Sequence, residues 1–214
     1  MPKILVTFAL RQEGVSFERR LDQRTAADGL IAGRIDSCEV GITWLGMRMC
    51  DDKQFEGIIA AKFPPDIVIN SGFAGAVRTL LEPGDFLLAE NFSSPGVVSR
   101  LRTERIFDAS GVFECLDEVA EPPKKMRINA GGNIVAVDME SARFAAICTK
   151  HSVPFVTARM VSDRYDEMIP KIFLGKGMAR TKDISDAIWF ASRMIQLRRR
   201  LADRLTALID AVSG

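Results

Sequence analysis

Short runs of β-branched and other apolar residues recur along the chain, separated by stretches with apolar positions three and four apart. This alternation restricts the fold to the α/β class, with a largely parallel or mixed sheet. Ile4 to Phe8 reads as a buried first strand and Val40 to Leu45 as a second. Asp51 and Asp52 stand as caps before Phe55, Ile58, Ile59 and Lys62 at helical spacing, and Pro64 and Pro65 stop that helix. Asp66 to Asn70 is the next strand and runs into a small-residue turn, Ser71 to Ala76; a strand Phe86 to Ala89 follows Pro83 and Gly84. The stretch from Asn91 to about Arg127 has weak periodicity and reads as loop with one or two short elements. A strand from Ile134 to Val137, a helix from about Ser141 to His151 and a strand from Phe155 to Val161 then form a βαβ unit. A polar segment after Asp163 gives way at Asp183 to a long helix with Ile184, Ile188, Met194, Ile195, Leu201, Leu205 and Leu208 on one stripe.

Composition narrows the function classes. A chain of 214 residues, 47% apolar and 27% charged, holds a core without metal or disulfide, and with no repeat or linker it reads as a single domain over residues 1–214. Lys and Arg number 29 against 28 Asp and Glu, so no global field draws the protein to nucleic acid or an anionic membrane. A small-molecule partner is expected. The longest apolar stretch, Ile4 to Leu10, is far short of the ~20 residues of a membrane helix, and no secretory cleavage pattern follows it. Cys38, Cys50, Cys115 and Cys148 are widely spaced with no neighbouring His, so neither zinc nor a redox pair is signalled, and a reducing cytoplasm is the expected compartment. The absence of GxGxxG after the first strand disfavours a dinucleotide-dependent dehydrogenase.

In open α/β sheets ligands gather at the carboxyl ends of strands, where helix amino termini point into the crevice. Four such ends carry unusual residues: Glu13 after the first strand, the Gly72 to Gly75 turn, Asp138, Met139 and Glu140 after Val137, and Ser162 and Asp163 after the last. Carboxylates on three of them suit acid and base chemistry. Each also has a plainer reading. Glu13 fits a first-turn helix residue, Asp138 and Glu140 fit caps of the helix that follows, Ser162 and Asp163 fit the start of a turn, and GxxG marks tight packing.

The run Val137, Asp138, Met139, Glu140, Ser141, then Val153, Pro154, Phe155, then Arg159, Met160, Val161, Ser162, Asp163 resembles the signature of the nucleoside phosphorylase and nucleosidase superfamily. The segment DIVINSGFAGAV (Asp66 to Val77) and the trio Pro83, Gly84, Asp85 are similar to its other blocks, as is Glu13 after Ala9 and Leu10. The closest resemblance is to the 5′-methylthioadenosine/S-adenosylhomocysteine nucleosidase branch. It implies a three-layer α/β/α sandwich around a central mixed sheet, no cofactor and no metal, a homodimer, and cleavage of a purine from its ribose. By matching position it makes Asp163 the acid to the base and Glu13 the group that activates water, with Arg159 holding the water network. It makes Glu140 the ligand of the ribose hydroxyls with Met139 against the sugar, and it adds Ser162, Phe73, Ala74, Gly75 and Met47 to the binding set.

Phosphorylases of this superfamily bind phosphate through arginines. Arg11, Arg19 and Arg20 are not at matching spacing, so the comparison favours water over phosphate as nucleophile. The resembled nucleosidases place a Ser where Phe73 stands, and the stretch from Asp85 to Val137 is shorter than theirs. A phosphorylase, including the hopanoid-associated type, a futalosine hydrolase and a binding-only relative are the other readings. His151 reads as a helix terminus, Arg198 to Arg200 as a solvated or dimer-edge face, and Trp44 and Trp189 as core or interface anchors.

Overall fold

In β1 (Lys3–Phe8) alternate side chains enter two different cores, which fixes a sheet covered on both faces. Ile4, Val6 and Phe8 join one cluster and Leu5 the other; in β5 (Ile67–Asn70), Ile67 and Ile69 face the first and Val68 the second. The computed structural model describes residues 1–46, 52–170, 172 and 181–214. The first core is closed by α1 (Arg11–Glu18), α3 (Pro95–Leu101) and α6 (Thr181–Ser213). The second is closed by α2 (Asp52–Gly57), which continues as a π-helical turn over Ile58–Lys62, and by α5 (Ser141–Lys150). Phe144 stacks on Phe55 at 5.7 Å and meets Phe155 edge-on. The three-layer arrangement expected from the sequence is therefore present.

Among the described residues, ten strands form one mixed sheet. A hairpin of β2 (Asp22–Ala27) and β3 (Leu30–Ile35) leads into β4 (Cys38–Trp44), which lies parallel to β1, and β1 lies parallel to β5. Beyond β5 comes β10 (Phe155–Asp163), followed by β6 (Phe73–Ala76), β9 (Ile134–Asp138), β8 (Ala109–Cys115) and β7 (Phe86–Ala89). Phe155 to Thr157 of β10 pair with β5, whereas Ala158 to Met160 pair antiparallel with β7 and Met160 to Asp163 pair parallel with β6. The last four strands thus close on β10 to make a ring of five. α4 (Pro122–Ala130) crosses between β8 and β9, and both of its first residues are proline, which suits a helix start.

Several expectations are corrected. Ser71 to Ala76 is not all turn, because Phe73 to Ala76 pair with β10 and β9 as a strand. The stretch from Asn91 to Arg127 holds α3, β8 and the start of α4, more order than its composition suggested; of the seven β8 residues only Phe113 is buried, so little periodicity was available to read. The hairpin β2–β3 went unread because every β2 side chain is exposed, although Asp28 and Gly29, at φ 51° and 78°, form the two-residue turn that such pairs favour. β10 runs on through Ser162 and Asp163, which are strand residues and not the start of a turn. His151 does end α5. Asp51 lies outside the described residues.

The α6 stripe holds only in its second half. Leu197, Leu201, Leu205, Leu208 and Val212 are buried, while Ile184, Ile188 and Ile195 are largely exposed. Trp189 is exposed as well, with the Arg193 guanidinium 4.4 Å from its ring, so it is not a core residue; Trp44 is half-buried beneath Arg11. Leu205→Ala should lower stability by about 2–5 kcal/mol, against no more than about 0.5 kcal/mol for Ile188→Ala, as read from denaturant midpoints.

Candidate active site

A fully buried arginine organises the meeting of the strand ends. Arg159, in the middle of β10, donates through Nε to Asp138 Oδ2 at 3.1 Å, through Nη1 to Ser71 O at 2.7 Å and through Nη2 to Asn70 Oδ1 at 3.2 Å. Nη2 also lies 3.6 Å from Glu140 Oε2. One planar cation thereby ties the end of β5 to the end of β9, where a lysine would lack the fork to reach both. Burial opposes its charge, and Asp138, Glu140 and Glu13 more than offset this, so the guanidinium stays charged.

Asp138 carries a second load. Its Oδ2 accepts from Ser141 Oγ and its Oδ1 from Ser141 N at 3.4 Å, in the first turn of α5, so the capping role expected of this acid is real. Glu140 is buried beside it at the start of the same helix. Gly72 makes the junction possible: its φ of +130° suits glycine, and a Cβ there would stand 2.8 Å from Arg159 Nη1 and 3.1 Å from Glu13 Oε2.

Glu13 is in α1 and not at the end of β1, so its plainer reading is also met. Its Oε2 accepts the Leu10 N–H at 2.9 Å while its own N–H bonds Leu10 O at 3.1 Å, a reciprocal closure of the helix start. Its carboxyl nevertheless turns into the protein. Burial raises its pKa from 4.5 to about 7, with the Glu140 charge adding and the Leu10 amide and Arg159 opposing.

These side chains open on one cleft of about 170 Å³. Glu13, Phe73, Ala74, Gly75, Met139, Glu140, Ser162 and Asp163, named from the sequence, all line it. Arg159 is not among the lining residues and stands behind the wall as the tie just described. Met47 lies outside the described residues. Sequence reasoning missed the far wall, Leu116, Glu118, Val119 and Ala120 with Lys125 of α4, because α4 was read as loop. The Pro122–Pro123 pair was the available signal for a helix start; nothing local shows that Lys125 would be buried.

At the floor, Ser162 Oγ donates to Asp163 Oδ1 at 2.5 Å, and Lys125 Nζ donates to Asp163 Oδ2. Burial pushes the Asp163 carboxyl up, against the pull of Lys125 and Ser162. The cleft therefore offers a carboxyl that changes charge near neutrality, a second acid set in hydrogen bonds, and a third carboxylate between them. That is a set able to move protons and to hold hydroxyls.

Residues 109–207 match the sequence profile of the Phosphorylase superfamily. The 5′-methylthioadenosine/S-adenosylhomocysteine nucleosidase of Geobacillus thermodenitrificans is 24% identical over 197 residues, covering 75% of this chain and 84% of the relative. That of Staphylococcus aureus strain MRSA252 is 25% identical over 190 residues, covering 73% and 83%. Among solved structures, the S. pneumoniae nucleosidase of the same name with a transition-state inhibitor superimposes with a TM-score of 0.74, at 22% identity over 98% of this chain and 99% of that one. The futalosine hydrolase of Helicobacter pylori superimposes with a TM-score of 0.73, at 19% identity over 98% and 97%. The chain has the fold of these nucleosidase structures, and the Phosphorylase superfamily model matches its second half in sequence.

Because the folded protein holds the Glu13 proton to about pH 7 and the unfolded chain only to about 4.5, this group makes stability fall as pH rises between those values. Glu13→Gln should remove that part of the slope, as measured by denaturant midpoints of variant and parent at pH 4.5, 6 and 7.5.

Proposed function

We propose that the protein is a nucleosidase that hydrolyses the N-glycosidic bond of a purine nucleoside, with a 5′-methylthioadenosine- or S-adenosylhomocysteine-like compound as substrate. The observation that carries this reading is the convergence of Glu13, Glu140 and Asp163 on one cleft, from three separate parts of the chain. The names of the relatives support it.

Loss of a purine leaves an oxocarbenium-like sugar, so a catalyst gains most from groups that act as the bond breaks. Glu13 is the base for the attacking water; it must be ionised, and with a pKa of about 7 it is so on the alkaline side of neutrality. Glu140, 3.6 Å from the Arg159 guanidinium, accepts the ribose hydroxyls, with Met139 against the sugar. Asp163 delivers a proton to the leaving purine, and Ser162 orients it at 2.5 Å. Water is preferred to phosphate as nucleophile because, among the described residues, the cation lining the cleft, Lys125, is already paired with a carboxylate. Arg11 is spent on Trp44 and Arg20 on Asp203. The chain is read as one nucleoside-binding domain, working without cofactor or metal, as a cytoplasmic homodimer.

A larger 5′ group is the second reading, favoured by the likeness to the futalosine hydrolase fold. One panel separates these. Free base should be released from 5′-methylthioadenosine or a bulkier purine nucleoside equally with and without phosphate. kcat/KM should rise through pH about 7, and Asp163→Asn and Glu13→Gln should each cost about 10²-fold or more. Release that requires phosphate would make the protein a phosphorylase, and no release from any member would leave a binding role.

A further inference from the structure

α4 brings into the cleft wall a cation that none of the sequence motifs contains. Lys125 is 1% exposed; besides Asp163 Oδ2, its ammonium donates to Arg164 O at 2.8 Å. The other carboxylate oxygen of Asp163 already accepts from Ser162 Oγ. β6 passes directly over the pair at Gly75, where a Cβ would stand 3.1 Å from Lys125 Cε and 3.3 Å from Asp163 Oδ2, so a larger residue there would crowd both. The remaining charges nearby are engaged elsewhere. Glu167 binds Arg193 at 2.5 Å, Arg164 binds Glu82 and Asp166 at 3.2 Å, and Glu118 on the cleft wall meets Lys124 at 3.5 Å. A buried ammonium calls for a paired carboxylate, and Asp163 is the one Lys125 touches.

A departing base needs a proton where the bonding electrons go. In this arrangement both oxygens of Asp163 accept hydrogen bonds, one from an ammonium, so the proton closest to hand is on Lys125 Nζ. We propose that Lys125 is a positioning residue and the proton reservoir behind Asp163, the two sharing one proton that passes through Asp163 to the leaving base. This deepens the nucleosidase reading and rests on it. In the step the C1′–N bond breaks and its electron pair goes to the base. Asp163 gives the base a proton and takes one from Lys125 Nζ. The hydroxyl of the attacking water adds at C1′, and its proton goes to Glu13. Glu13 then releases a proton to solvent and Lys125 takes one up, so the sum is water added across the bond.

The test compares two substrates: the purine nucleoside that the wild type cleaves fastest, and 4-nitrophenyl β-D-ribofuranoside, whose leaving group departs as a phenolate without protonation. Lys125→Met should lower kcat on the purine nucleoside by about 10²-fold at pH 8 and move the alkaline limb of its pH profile downward, since Asp163 must then carry the proton alone. The nitrophenyl riboside should be cleaved within about threefold of the wild-type rate, which also certifies that the variant is folded. Lys125→Arg retains charge but cannot release its proton, so it should share the loss on the purine alone. Rescue by Arg, an unshifted profile in the Met variant, or equal losses on both substrates in both variants would overturn the proposal. A wild type inert to both substrates would overturn the nucleosidase reading instead.

Discussion

Arg159 is the interaction on which the rest of the site depends. A guanidinium with no exposure to solvent is tolerable only if every side of it is answered. Its partners are Asn70 and Ser71 from the end of β5, Asp138 from the end of β9 and Glu140 at the start of α5. Gly72 lies against Arg159 and Glu13 together, so the same point also fixes α1. Removing the charge would leave two buried acids facing each other; removing an acid would leave the cation unmatched. Either way the cleft loses its geometry before it loses any group that lines it.

The charges around this tie give four carboxyls of one cleft different partners. Asp138 and Glu140 share the arginine, and Asp163 has Lys125. Glu13 is left with backbone donors, a more distant share of Arg159 and the repulsion of Glu140. Burial then dominates at Glu13 and brings its proton into the neutral range. Burial raises both Glu13 and Asp163, but the two have different partners, and such differences in surroundings can give two acids different roles in one reaction.

Phe73 shapes the same region. It is half-buried, packs against the core shared by β1 and α6, and its backbone bonds the Glu13 carboxyl. Where the resembled nucleosidases offer a hydroxyl, this chain offers a ring, so the polar contacts to Glu13 at this position come from the main chain.

The fold class was legible because strands apolar at nearly every position, such as Ile4 to Phe8, must bury both faces, and helices of 3.6-residue period must cover them. Glu13, Glu140, Ser162 and Asp163 were legible as candidates because local motifs carry them, and their dual life as caps and cleft residues follows from their sitting where helices begin. Local pattern does not report burial of polar groups across long separations. That Lys125 would lie under Gly75 and against Asp163, that Arg159 would stand behind the wall instead of in it, and that half of the α6 stripe would face solvent depended on how β10 is shared among three neighbouring strands. The sequence by itself determined the elements and the chemistry available at their ends. Only the closed packing of distant strands decided which charges meet, because the energy of a buried ion depends on all its neighbours at once.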